Sequence, residues 1–266
     1  MSLEKTDYLT PKSHSWARKL PMSAAVRAGD LLFISGQVSA DAGLKPGNIG
    51  NVKAQARAAF ANIKALLREA GGSMADIVDI MSFHTDVRQM DEVFDVGRQV
   101  FKNDFPAWTA LGMHGTYDPE FLVSIRAIAH LGAGKKKCVT PKSMAWMNKL
   151  PMSAACIKGD YLFTSGIVSA DAAGNVISPG DHYAQARVCY DRLRDTLKAG
   201  GAGLDDVVDM ICFNQDARGM DDAVNCWCNE VVDGLPINRV TSYTAIAMTG
   251  FHKLGMVGAY RAIADF

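Results

Sequence analysis

The chain repeats itself. Residues 10–25 read TPKSHSWARKLPMSAA, and residues 140–155 read TPKSMAWMNKLPMSAA. The offset is 130 residues. It holds through Gly29-Asp30 and Gly159-Asp160, Ser35-Gly36 and Ser165-Gly166, Ala54-Gln55-Ala56-Arg57 and Ala184-Gln185-Ala186-Arg187, and Asp86 and Asp216. Near the end it becomes 135, where Arg126-Ala127-Ile128-Ala129 matches Arg261-Ala262-Ile263-Ala264. The second repeat therefore carries about five extra residues, between Pro236 and Tyr243. A chain built this way folds one unit twice, and each unit is of ordinary domain size. Gly132-Ala133-Gly134-Lys135-Lys136-Lys137 reads as the linker, so the expected domains are 1–133 and 134–266.

Each unit can hold a packed core. The apolar fraction is 48% and the charged fraction 21%, as in an ordinary globular domain. Lys+Arg and Asp+Glu are both 28. That balance supplies no broad basic field for nucleic acid and no polybasic membrane anchor. No apolar run approaches the ~18 residues of a membrane span. The first residues contain acids and no apolar segment, unlike a secretory signal. The expected location is the cytoplasm, and the six cysteines, all beyond residue 137, are expected to be reduced thiols. Cys226 and Cys228 are one residue apart in a helical stretch, which suits buried thiols rather than a redox pair or zinc site.

Hydrophobic spacing gives both repeats the same elements. Asp30 to Gly36 is a short apolar strand closed by glycine. Residues 51–69 place Ala56, Phe60, Ile63 and Leu67 at helical spacing, with Asn51 as N-cap and Gly71 past the end. Residues 77–85 read as a strand, 90–102 as a second helix, and Trp108 to Gly112 as another strand. In the last strand, Phe121 to His130, Val123, Ile125, Ala127 and Ala129 share one face. Ser124, Arg126 and Ile128 share the other. The class is α+β: a mixed sheet against two helices in each repeat.

The order of these motifs resembles the Rid family, the YjgF-type reactive-intermediate deaminases. The resemblance rests on Ile34-Ser35-Gly36-Gln37, Ala54-Gln55-Ala56-Arg57, Ala70-Gly71-Gly72, Phe105-Pro106-Ala107 and the terminal Arg126-Ala127-Ile128-Ala129, and it covers nearly all of both repeats. It implies two chorismate-mutase-like domains, a trimeric assembly and ligand clefts between neighbouring domains. It implies cofactor-independent hydrolysis of enamines or imines. With two domains per chain, three chains give six domains, as two trimeric rings or one pseudo-hexamer. The implied partner is a small-molecule substrate, with no nucleic acid, membrane, metal or cofactor. The alternative is a metabolite-binding module that keeps the clefts without catalysis.

Three departures shape the candidate site. Where deaminating members carry an Arg after Pro-Ala, repeat 1 has Trp108, and repeat 2 has Arg239, displaced by one residue. Where they carry a Glu on the last strand, Ser124 and Ala259 stand here. Met22 and Met152 replace their ligand-side Tyr. The candidate substrate-binding residues are therefore Arg239, Arg261 and Arg126 for a carboxylate, Trp108 and Tyr243 for a planar group, and Gly36 and Gly166 for close backbone approach. Arg126 and Arg261 equally suit an ion pair between domains, and Trp108 and Tyr243 equally suit packing. Ser124 and His84 are the catalytic candidates, as water holder and general base, with Asp86 two residues from His84 to orient it. His114 and His252 are placed at the cleft edge, and His14, His130 and His182 at the surface.

Overall fold

The structure is a computed structural model that describes residues 7–231 and 241–266. Repeat 1 contains strands β1 (Asp7–Leu9), β2 (Ala25–Ala28), β3 (Leu31–Gln37), β4 (Ile77–His84), β5 (Ala107–Gly112) and β6 (Val123–His130), with helices α1 (Val52–Glu69) and α2 (Met90–Phe101). Repeat 2 contains β7 (Lys137–Val139), β8 (Ala155–Lys158), β9 (Tyr161–Thr164), β10 (Ile167–Val168), β11 (Val207–Asn214), β12 (Ser242–Ala247) and β13 (Gly258–Asp265), with α3 (His182–Gly200) and α4 (Met220–Cys226). The sheet orders are β1-β2-β3-β6-β4-β5 and β7-β8-β9-β13-β11-β12. The last neighbours, β4–β5 and β11–β12, are parallel and the other pairs antiparallel, so both sheets are mixed, as expected.

Local chemistry sets the helices. The Asn51 side chain accepts from the Ala54 amide at 2.9 Å, satisfying a donor that the first turn leaves open. Ala56, Phe60, Ile63 and Leu67 are buried on the sheet, along with Ala59 and Leu66. Asp181 caps α3 in the same way, through the Ala184 amide at 2.9 Å. The second helix is the exception. Its regular part in repeat 2 is only Met220–Cys226, and a π-helical turn carries the chain on from Trp227 to Val231.

The helix-free faces meet. Val123, Ile125, Ala127 and Ala129 face the helices of repeat 1, as strand alternation predicts. On the opposite side, Met81 and Leu111 of repeat 1 pack against Val168, Phe213, Phe251 and Ala259 of repeat 2. Strand β5 lies across the repeat-2 sheet and is buried along almost its whole length. The Trp108 amide donates to Ser165 Oγ at 2.7 Å, the Ser153 amide to the Pro106 carbonyl at 3.0 Å, and the Gly112 amide to the Gly250 carbonyl at 3.0 Å. At the centre Arg261 grips Asp79 with both arms of its fork, at 2.8 and 3.2 Å, and both side chains are buried. Lys158 meets Asp76 at 2.9 Å nearby.

Three sequence expectations change. Cys138 and Cys156 face each other across β7 and β8 and form a disulfide, so these two thiols are not free. Direct cross-strand opposition brings the sulfurs together, and spacing along the chain does not reveal it. Cys228 is exposed, whereas Cys226 is buried. His14 and His130 are buried rather than on the surface, His14 because its Nε2 meets Gln37 Oε1 at 3.0 Å.

The Arg261–Asp79 pair gives a direct test of the interface. Arg261→Met leaves Asp79 buried and uncompensated, and is expected to cost about 3–5 kcal/mol in urea unfolding. Adding Asp79→Leu removes the stranded charge and is expected to restore most of that loss. Equal destabilisation by the single and double variants would show that the pair is not the clamp.

Candidate functional site

The sheet faces that do not carry helices form two related clefts, one on each repeat. On repeat 1, β3 brings Gly36 beneath β6, and a Cβ on Gly36 would stand 2.7 Å from Ser124 Oγ. Ser124 and Arg126 lie two residues apart on the same face of β6, opposite Phe83 and Met81 of β4. Gly36, Ser124 and Arg126 line one cavity of about 520 Å³ with Trp16, Met22 and Phe33, under Tyr117. Its walls are mostly apolar, with hydroxyls from Ser35, Thr116 and Ser124. Among the described residues no carboxylate lies within ion-pair distance of Arg126, whose guanidinium has Met81 Sδ at 3.8 Å. Burial pushes the Arg126 pKa down, and Asp79 nearby opposes that shift.

The equivalent face of repeat 2 is filled. Gly166, Met152 and Ala259 take the places of Gly36, Met22 and Ser124, but Trp108, Thr109 and Ala110 of β5 lie over them. A Cβ on Gly166 would stand 2.9 Å from Thr109 Cγ2. The cavity that remains is about 60 Å³. Two polar atoms on its wall, Thr109 Oγ1 and Trp146 Nε1, are buried without a hydrogen-bond partner. Arg261 does not line this space, because its fork is turned to Asp79, with Asp209 Oδ2 at 4.0 Å from its other nitrogen.

The predicted residues thus separate into two groups. Gly36, Ser124 and Arg126 share the open cleft, and Gly166 and Trp108 share the closed one. Trp108 is core: its ring packs edge-on against Phe60 and Phe94, and Gly97 leaves room for it, since a Cβ there would stand 2.5 Å from the indole. Tyr243 likewise turns to its own helices, with its hydroxyl 3.2 Å from that of Tyr190. Arg239 lies outside the described residues. His252 edges the closed cleft and meets Asp91 at 3.0 Å, while His114 is exposed.

The expected His84–Asp86 couple does not form. Asp86 gives its oxygens to the Arg88 guanidinium and amide, at 2.7 to 3.1 Å. His84 Nε2 pairs instead with Ser82 Oγ at 2.8 Å, and that hydroxyl also receives the Trp108 indole N–H at 2.8 Å. His84 lines neither cleft, and its Nδ1 is buried without a partner. Desolvation, with His252 adding to it, drives its pKa down to about 3. A strand places every second side chain on the same face, and the even face here is the helix side. What sequence spacing missed is the tryptophan shared by the repeats. Trp16 and Trp146 line the two clefts at matching positions, and their identity in the two repeats was the available signal.

Two copies of one α+β unit are what the family comparison also finds. A family model described as Endoribonuclease L-PSP matches residues 14–131 and again 146–248. The chain belongs to this family. The RutC family protein YjgH of Escherichia coli (strain K12) is 37% identical over 133 residues, covering 48% of this chain and 97% of that protein. A 2-iminobutanoate/2-iminopropanoate deaminase of Dermatophagoides farinae is 29% identical over 93 residues, covering 35% of this chain and 73% of that protein. A solved chorismatase matches 90% of this chain and 76% of its own, at a TM-score of 0.63 and 15% identity, so fold alone is shared. The protein is a tandem Rid-type chain, and the whole of YjgH matches about half of it. Among the described residues no helix is long and apolar enough to cross a membrane, and no group of three or more His, Cys, Asp or Glu could hold a metal ion.

The buried His84 makes a pH prediction. Below its ordinary pKa of 6.5 the unfolded chain takes up a proton there, which the folded chain refuses until about pH 3. Stability is therefore expected to fall as pH drops through that window, by about 1.4 kcal/mol per pH unit for one such group. Urea unfolding at neutral and mildly acid pH measures the slope, and His84→Gln is expected to flatten it. An unchanged slope in the variant would show that His84 takes up its proton in the folded state as well.

Proposed function

We propose that the protein hydrolyses an enamine, imine or related C–N bond of a small metabolite, without a cofactor, in the cleft of repeat 1. One observation carries this reading: of two equivalent faces, that of repeat 2 is filled by β5 to about 60 Å³, while that of repeat 1 keeps about 520 Å³ with Ser124 standing over Gly36. The relative named as an imine deaminase supports the reaction class. In that reaction water adds to the imine carbon, and the tetrahedral adduct collapses to a carbonyl and ammonia. In this reading Ser124 Oγ holds the water, and Gly36, lacking a side chain, admits the substrate to the strand backbone. Arg126, in the same cleft and without a carboxylate within ion-pair distance among the described residues, is the candidate anchor for a substrate carboxylate. The same reading includes a cytoplasmic location and an assembly of three copies, six repeats in all.

A second reading has its own support. The described lining of the open cleft contains no carboxylate, histidine or lysine to take a proton from water. This favours a binding module that holds a metabolite without turnover.

Ammonia release from 2-aminoacrylate and 2-iminobutyrate generated in situ separates the two. Hydrolysis predicts release above the spontaneous rate. Gly36→Val, which fills the cleft, is expected to abolish it, and Ser124→Ala to lower kcat/KM about tenfold to a hundredfold. Wild-type protein that binds these compounds or their products without accelerating release would support the binding module instead.

A further inference from the structure

The open cleft of repeat 1 joins one cation to a large apolar wall. Arg126 is the sole charged residue in its described lining. The matching guanidinium in repeat 2 shows what the position accepts: Arg261 holds the Asp79 carboxylate through both arms of its fork. Asp79 is committed there, and no carboxylate lies within ion-pair distance of Arg126 among the described residues.

The wall is aromatic where it is most open. Trp16, Met22, Phe33, Phe121 and Tyr117 surround a space of about 520 Å³. Of these, Met22, Phe33 and Tyr117 are exposed. Their counterparts in repeat 2 are covered. Met152 and Phe163 are buried, and His252 packs on Phe94 and meets Asp91. Apolar surface left open inside a ligand-sized space suits the apolar part of a ligand.

We infer that this cleft selects aromatic 2-imino and 2-oxo carboxylates over short-chain ones and over free amino acids. The inference deepens the proposed function and rests on its reading of this cleft as the substrate site. Arg126 takes the carboxylate. The ring lies against Met22, Phe33 and Tyr117, where flat apolar surface and a thioether suit it. A methyl or ethyl tail leaves that wall to water. A free amino acid is rejected on charge, because its ammonium would lie beside the guanidinium with no acid in the described lining to pair it. The 2-oxo acid and the neutral imine carry the carboxylate without that charge. In the hydrolysis the water oxygen becomes the carbonyl oxygen, the C–N bond breaks, and both water hydrogens leave on nitrogen as ammonia. Substrate and product therefore share the carboxylate and the ring, and the stable product serves as the binding probe.

Isothermal titration calorimetry on the full chain tests the selection with phenylpyruvate, 4-methyl-2-oxopentanoate, pyruvate and phenylalanine. Phenylpyruvate is expected to bind at least about tenfold more tightly than pyruvate, the least that one added methylene provides in an apolar pocket. Phenylalanine is expected not to bind. Phe33→Ala, at an exposed position of β3, is expected to keep the circular dichroism spectrum and to remove most of the preference for the ring. Arg126→Gln is expected to keep the spectrum and to weaken phenylpyruvate about tenfold or more. Phenylpyruvate bound no more tightly than pyruvate, or less tightly than 4-methyl-2-oxopentanoate, would overturn the inference. So would phenylalanine bound as tightly as phenylpyruvate, or wild-type affinities in both variants. Turnover is read separately, with the imine supplied by an amino-acid oxidase acting on phenylalanine. Selective binding without accelerated ammonia release counts against the proposed hydrolysis alone. Accelerated release from 2-aminoacrylate without a preference for phenylpyruvate counts against the selectivity alone.

Discussion

Strand β5 lying across the sheet of repeat 2 is the contact on which the rest of the structure depends. It joins two sheets through backbone donors, so it does not rely on particular side chains along the strand. The Trp108 amide finds Ser165, and the Pro106 carbonyl accepts from the Ser153 amide. The bidentate Arg261–Asp79 pair then fixes the lateral position. A buried pair of this kind is weak evidence for net stability, but it penalises misplacement heavily, because any slip leaves a charge stranded. It therefore specifies how the two repeats meet more than it strengthens their meeting.

From that one contact follows the asymmetry between two units of the same ancestry. Repeat 2 gives up its cleft to hold β5, and the small space left is walled by Thr109, Trp146 and Met152. Repeat 1 contributes its edge strand and keeps its cleft. Tryptophan at position 108 fits this division. Its indole is anchored in its own core by Ser82, Phe60 and Phe94, where a guanidinium in the same place would be buried beside no carboxylate described there. Duplication thus commits one face to a structural use while the other stays open.

Much of the fold was legible in the sequence because its signals are local. The repeat, the Asn51 cap, the helical stripe from Ala56 to Leu67 and the alternating faces of β6 all depend on residues near one another, and all appear as expected. The site was legible only in part. The adjacency of Gly36, Ser124 and Arg126 follows from strand alternation and the order of motifs. Whether an arginine on that face meets a ligand or a carboxylate depends on what covers the face, which no local pattern records. The same limit explains His84, whose spacing to Asp86 suggested a couple, whereas Ser82 on its own strand and the Trp108 indole claimed it. It explains the Cys138–Cys156 bond as well, set by the register of β7 against β8.

The central claim is that β5 of repeat 1 seals the helix-free face of repeat 2, while the matching face of repeat 1 stays open. Amide-resolved hydrogen exchange on the full chain tests it directly. The account predicts that the Trp108 and Gly112 amides, bonded to Ser165 Oγ and the Gly250 carbonyl, are protected as well as the central strands of both sheets. Rapid exchange of either amide beside protected central strands would contradict it.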